Sequence, residues 1–434
     1  MPQPSKRGNG PRITVERITL SGGRLDCLLR YDTRVQRCFN SSDLYFNYDF
    51  PLESIPPSVL SIPILGVLAP LGWVSGATIA MQEVDDHYLS SVHKVAGLMQ
   101  GMYPKVRITA DVACNRVDTP WPESSDRTCL LYSGGVDSTA SLLRNLGPNL
   151  SLVTVRGTPD LRLGETDYWD RVERQLSKFI RSLGVERHIV ETNAIEVVNT
   201  RQLNRAFRDT PGGGWWENLA HGILLLSLCA PYTYAGKISR MMIAASYSQA
   251  YEEPWGSTPA SDQSVGWGAL TTVHDSFDLT RIQKVTKILA PYMAKHPGTL
   301  PLRVCTGHWR ARLVSGALNC GICLKCARQV MIFLSTGIDP VSCGFPAPNF
   351  AELKEGFSSG RLIAEGGESL PILHAAKTPP TPELAARYPG LAEFLSWFYR
   401  WEMPGSPPRR GILGRLAPSG SRRRRVARAV VGRG

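Results

Sequence analysis

The stretch "TCLLYSGGVDSTASLLRNLG" (residues 128–147) constrains the fold most, because it reads as a buried strand, a glycine turn and a helix. A turn of this kind points the backbone amides that open a helix at one spot, where the helix adds roughly half a positive charge. Together these make an anion site suited to phosphate. Gly134 and Gly135 permit positive φ and close backbone approach. Ser133 and Ser138 bring hydroxyl donors, and Asp137 needs an intervening cation to tolerate phosphate, which suits Mg²⁺. Val136 lies between these residues, within the same turn. The stretch is not a Walker loop, which needs a longer loop ending in Gly-Lys-Ser/Thr.

From Thr128 to about Ile288, strand-like and helix-like runs alternate: "LSLVTVRG" then "YWDRVERQLSKFIRSLG", and "RHIVETN" then a long apolar helix around "WENLAHGILLLSLCAPYTYAG", with "SRMMIAASYS" after it. Such alternation predicts an α/β fold with a parallel sheet, and its loops along one rim. Upstream, "RITVERITL", "RLDCLLRYD", "DLYFNYDF" and "KVRITADVA" read as strands. Tyr88, Val92, Val95 and Met99 share one face of a helix. The expected organisation is a disordered leader at 1–12, an N-terminal α+β domain at 13–125, the loop-bearing domain at 126–302, a cysteine-rich unit at 303–345, a small helical region at 346–403 and a disordered tail at 404–434.

The net charge of +12 is unevenly placed, since nine arginines and no acid lie between Met403 and Gly434. The run Ser421–Arg425 could bind nucleic acid through counterion release, or remain a solvated tail. Ser54–Gln82 contains no charged residue over 29 positions, long enough to span a bilayer. Its internal prolines argue instead for buried strands and turns. With no secretory signal and no disulfide-scaffold spacing, the expected location is the cytoplasm, without a membrane partner.

"RVCTGHWRARLVSGALNCGICLKCARQ" holds Cys305, then fourteen residues, then Cys320, Cys323 and Cys326 in Cys-x2-Cys-x2-Cys order. Four converging thiolates favour structural Zn²⁺. The spacing departs from a ferredoxin-like iron–sulfur run, and Cys343 is a spare possible ligand.

The glycine turn resembles the "SGGxDS" loop of the PP-loop ATP pyrophosphatase superfamily. The fold so implied is a parallel-sheet, HUP-type, Rossmann-like domain. Followed by one Cys and then Cys-x2-Cys-x2-Cys-x-Arg, it resembles the 7-cyano-7-deazaguanine synthase (QueC) family over residues 126–345. "DLTRIQKV" (278–285) is similar to that family's "LTKAEI"-type segment, and Asp262 falls near its substrate-contacting Asp. The long flanking regions look like the enlarged QueC-like proteins of antiphage systems, type IV CBASS and Qat. The resemblance implies an ATP-dependent carbon–nitrogen ligase that adenylates 7-carboxy-7-deazaguanine or a similar acid, releasing pyrophosphate. An amide or nitrile then forms with ammonia or a protein amine.

On this reading Ser133, Gly134, Gly135, Val136, Asp137, Ser138 and Arg156 bind ATP, and Asp137, Ser138, Arg281 and Lys284 are the catalytic candidates. Asp262 and Trp215 are substrate-binding candidates, and Cys305, Cys320, Cys323 and Cys326 hold zinc. Each weaker candidate has a structural alternative: a solvated helix face for Arg281 or Lys284, a loop ion pair for Arg156, core packing for Trp215. His274 and Asp275, adjacent near the rim, read best as a turn. Two other functions stay open: a tRNA-modifying PP-loop enzyme, and a catalytically inactive scaffold that binds a defence-system partner.

Overall fold

The computed structural model describes residues 10–123, 125–210, 213–298, 300–305, 316–363 and 369–401. The Arg-rich tail and all but the end of the leader lie outside them. The chain divides into two compact units, the first ending at Ser246 and regaining Glu253–Phe277, the second comprising Tyr247–Glu252 and everything from Asp278 onward.

The first unit is α/β and is built on one ten-stranded sheet. Its strands are β1 (Arg12–Ser21), β2 (Arg24–Tyr31), β3 (Asp43–Tyr48), β4 (Thr78–Asp85), β5 (Val112–Val117), β6 (Ser125–Leu131), β7 (Leu150–Arg156), β8 (Glu186–Thr192), β9 (Ile238–Ala244) and β10 (Thr271–Asp275). They lie in the order β10-β9-β6-β7-β8-β3-β2-β1-β4-β5. Strands β10 to β8 run parallel, as the alternation of strands and helices requires. The N-terminal strands continue that sheet: β3 pairs antiparallel with β8, Phe46 opposite Thr192 and Tyr48 opposite Val190. Strand β5 starts at Val112, later than the strand expected within "KVRITADVA".

The uncharged segment is a helix, Pro57–Ser75, and not the strands and turns expected of it. Sixteen of its residues are buried, and 89% of its most apolar window lies inside the protein. A buried segment must satisfy its own backbone polar groups, and a helix does so within itself. Pro57 opens it, where a missing N–H costs nothing. Pro63 and Pro70 stand two turns apart on one face and each forfeits a single internal bond. A helix apolar all round belongs in a core. Gly66 admits the neighbouring helix, His221–Ser227: a methyl group there would come within 2.4 Å of the Ser227 Cβ.

The long apolar helix expected around residues 217–236 is broken. A wide turn at Trp216–Ala220 leads into His221–Ser227, and a separate helix, Ala230–Ala235, begins with Pro231 at its first turn. Pro231 has no N–H to continue the preceding helix. Tyr88, Val92, Val95 and Met99 are all buried on one face of the helix Asp86–Met102.

The second unit is helical among its described residues. Its longest helix, Leu324–Thr336, is followed by Phe350–Ser358, Ser369–Ala376, Pro382–Arg387 and Leu391–Arg400. Phe394 and Phe398 lie on the buried face of the last of these.

Candidate functional site

Strand β6 ends at Leu131, and the chain turns through Ser133–Gly135 into the helix Val136–Arg144. Gly134 has φ +74°, a region that glycine enters without strain. Gly135 is the N-cap, with extended backbone and no side-chain cap. The two serines shape the turn: the Ser133 hydroxyl accepts the Gly135 N–H at 3.3 Å, and the Ser138 hydroxyl accepts the Ser133 N–H at 3.3 Å. Their hydroxyl oxygens stand 3.2 Å apart. Asp137 lies in the first helical turn, half-buried, beside the exposed Ser133. The first N–H groups of any helix have no intrahelical acceptor. Here they open at the C-terminal end of a parallel strand, where open α/β sheets bind ligands. The structure therefore brings Ser133, Gly134, Gly135, Val136, Asp137 and Ser138 together in one strand-to-helix turn.

At the same end of the sheet, Ser141 of this helix donates to the Asp275 carboxylate of β10, and Asn145 donates to its other oxygen at 3.3 Å. Asp275 and His274 thus belong to a strand and not to a turn. Arg156, at the end of β7, is held by Glu191 at 2.7 Å and by the Leu163 carbonyl at 2.8 Å, with its guanidinium over the Trp169 ring. Arg156 is thus ion-paired, but across the neighbouring strands β7 and β8 and not within a loop.

Trp215 is fully buried and its indole N–H donates to the Pro70 carbonyl at 2.9 Å. Its place is in the core, which corrects the expectation that it stacks on a base. Asp262 is also fully buried. One of its carboxylate oxygens takes the Ser257 hydroxyl at 2.6 Å and the His274 imidazole at 2.7 Å.

In the second unit, Thr280 caps the short helix Arg281–Lys284 through a reciprocal hydrogen-bond pair with Gln283. Arg281 is half-buried and Lys284 is only 1% exposed, so Lys284 does not belong to a solvated face.

The four cysteines of this unit converge. The sulfurs of Cys305, Cys320, Cys323 and Cys326 all lie within 4.8 Å of one another. Cys305 and Cys323 are 3.9 Å apart, and Cys320 and Cys326 are 3.8 Å apart. A tetrahedron with metal–sulfur bonds of about 2.3 Å has edges of about 3.8 Å, so the set fits a metal ion such as zinc. Hydrogen bonds within the set, Cys305 foremost, hold the Cys323 and Cys320 thiols below their usual range and push Cys305 and Cys326 above it, so the four share their protons unequally. Thiolate is the form that binds metal.

Local geometry explains the convergence. Gly321, at φ +77°, turns the chain between Cys320 and Cys323. Cys323 caps the helix Leu324–Thr336 and places Cys326 one turn on. Buried Asn319 ties in the distant ligand: its side-chain oxygen accepts from the backbone of Val304 (2.8 Å) and Cys305 (3.1 Å), and its amide donates to the carbonyls of Leu302 (2.7 Å) and Gly344 (3.0 Å). Cys343 stands outside the cluster, 3.8 Å from the Met293 sulfur, its thiol pushed up to about 12 by burial. Asn319 carries no sequence signal of its own, and Asp262 and His274, each named from sequence, gave no sign that they would pair. "LNC" gives Asn319 a place beside a ligand, but nothing local shows that its four partners come from elsewhere.

No protein-family model matches the chain, and no curated protein matches its sequence.

Proposed function

We propose that the chain is an ATP-dependent carbon–nitrogen ligase similar to the 7-cyano-7-deazaguanine synthases. It adenylates 7-carboxy-7-deazaguanine or a similar acid, releases pyrophosphate, and joins the acid to ammonia or a protein amine. The cysteine cluster holds structural zinc, and the setting is cytoplasmic antiphage defence. The observation that supports this reading most is the cradle at Ser133–Ser138, where backbone amides and two hydroxyls gather at the C-terminal end of β6.

The carboxylate attacks the α-phosphorus of ATP, and charge builds on the departing diphosphate. Amides of the first helical turn and the Ser133 and Ser138 hydroxyls stabilise that charge, an electrostatic contribution of about 3–4 kcal/mol per well-placed donor. Asp137 is the residue that would hold Mg²⁺, which supplies neutralisation of the phosphates. Four sulfurs leave a metal no open position, so zinc there maintains the fold and does not activate water.

The test is incubation of the protein with Mg-ATP and 7-carboxy-7-deazaguanine, following pyrophosphate and product mass. Asp137→Ala is expected to lower pyrophosphate release about 100-fold or more while leaving the metal content unchanged. Full turnover by that variant would overturn the assignment of the cradle.

A further inference from the structure

Strand β1 is paired on both sides over only part of its length. Strand β4 bonds to Arg12–Thr14 alone. A bulge between Val15 and Arg17 then shifts the register of β1 against β2, and the two strands continue as a hairpin turned by Gly22 and Gly23. Bulges commonly end pairing in this way. From Arg17 to Ser21, β1 pairs with β2 only, and its other edge meets no strand among the described residues.

Local geometry fixes what that edge offers. Ser21 and Arg24 close a two-residue hairpin, so they exchange both N–H···O bonds, and alternation turns the backbones of Thr19 and Arg17 towards β2 as well. The N–H and C=O groups of Ile18 and Leu20 point the other way. Among the described residues nothing bonds to them. Such a row is a template for another strand.

The side chains point to the same conclusion. Ile18 stands opposite Cys27 and Leu20 opposite Leu25, and opposed residues of antiparallel strands share a face. Cys27 and Leu25 are buried, whereas Ile18 and Leu20 are 37% and 39% exposed. The apolar face of the sheet therefore runs out to this edge and ends uncovered. Soluble chains usually blunt an edge with proline or charge, and Ile18–Ser21 contains neither.

We infer that this edge binds a second copy of the chain, the two β1 strands lying antiparallel about a two-fold axis at Thr19. That register sets Ile18 of each copy opposite Leu20 of the other. Both pairs then exchange two hydrogen bonds, and the four apolar side chains meet on one face. Arg17 of one copy falls opposite Ser21 of the other, beside Gly22, whose N–H is held by the exposed Glu53 carboxylate at 3.0 Å. Arg17 has no ion pair of its own among the described residues. The axis brings that arginine and that carboxylate together twice. Hydrogen bonds, apolar face and charge are thus self-complementary in one register, which selects a second copy over an unrelated strand.

The test is sedimentation velocity of the full 47.7 kDa chain from submicromolar to tens of micromolar concentration, where a species of twice that mass is expected. Leu20→Lys alters an exposed side chain, so circular dichroism and melting temperature should hold. Dimerisation should weaken about 100-fold, since the axis counts each lost contact twice. Arg17→Glu and Glu53→Arg should each weaken it about 5-fold, and the combined variant should recover it. Thr19→Cys should give a disulfide-linked dimer on mild oxidation that the unaltered chain does not give, because directly opposed Cα atoms in a non-hydrogen-bonded pair lie about 4.5 Å apart.

A chain monomeric throughout that range would overturn the inference and leave the edge to a different partner. A dimer that survives Leu20→Lys, or that Thr19→Cys does not cross-link, would overturn it too, by placing the contact elsewhere. Should Leu20→Lys disturb the fold, the Thr19→Cys cross-link decides.

Discussion

The glycine turn and the cysteine cluster are assembled from the same local parts and reach opposite ends. Each places a positive-φ glycine, Gly134 or Gly321, just before a helix, so that the chain reverses and a helix N-terminus faces what the turn encloses. At the first, Ser133 is exposed and Gly135 half-buried, with the serine hydroxyls taking the N–H groups of Ser133 and Gly135. At the second, three of the four cysteines are buried, and sulfur fills the positions around the centre. What distinguishes them is the side chain beside the glycine: hydroxyls at the first, and at the second four sulfurs spaced as a closed metal site needs.

The largest effect expected from breaking that contrast is at the cluster. If the cluster holds the proposed zinc, Cys323→Ser or a strong chelator should take the metal content from one ion per chain to none. The second unit should then lose its helical circular dichroism, since structural zinc contributes about 10–16 kcal/mol to folding in small domains. Asp137→Ala should leave both signals intact, so the two sites are separable by metal content alone.

Next comes Asn319→Ala, which removes a side chain with four buried backbone partners. Leaving those groups unpaired should cost about 3–5 kcal/mol, read from denaturant unfolding. Competition with a chromogenic chelator should show metal affinity weakened about 10- to 100-fold. A variant with unchanged affinity would show that Cys305 reaches the cluster without this tether.

Gly134→Ala should cost about 1–3 kcal/mol, because alanine strains at φ +74° and its methyl would press within 2.8 Å of Leu176. Gly135→Ala, at φ −74°, imposes no such backbone strain. Thermal melts of the pair would sharpen the distinction between a glycine needed for its dihedral and one needed for ligand approach.

The smallest effect lies on β8, where His188 sits between Asp49 (3.0 Å) and Glu186 (3.2 Å). Burial opposes charge on His188, but Asp49 and then Glu186 outweigh it and raise its pKa above 6.5. Burial likewise opposes charge on Asp49, and His188 reverses it, lowering that carboxyl below 3.8. The histidine's contribution to stability is thus complete below pH 6.5 and is lost as pH rises through its folded value. The aspartate's is present above 3.8 and is lost as pH falls through its folded value. Solvent screening keeps the pair under about 1 kcal/mol. His188→Gln should flatten the dependence of unfolding free energy on pH just above 6.5, and an unchanged curve would remove His188 as its source.

Legibility followed distance along the chain. The strand–turn–helix at 128–147 and the Cys-x2-Cys-x2-Cys run could be read because every interacting atom lies within a few residues of the next. The helical face of Tyr88, Val92, Val95 and Met99 was legible for the same reason. The Pro57–Ser75 helix was not, since prolines that would break an exposed helix are outweighed by burial on every side, which only neighbours supply. For Trp215 the sequence left base stacking and core packing both open, and the Pro70 carbonyl, distant along the chain, decides for the core.

By itself, the sequence determined the parallel alternation, the dihedral demands of the turn, and four sulfurs at knuckle spacing, all consequences of local backbone geometry. Tertiary structure alone decided that β3 would pair with β8 and carry the N-terminal strands into one sheet, that Asn319 would brace Cys305, and that Asp262 would meet His274. Those contacts join segments whose mutual approach depends on how the whole chain buries its apolar surface, and no spacing along the sequence encodes that.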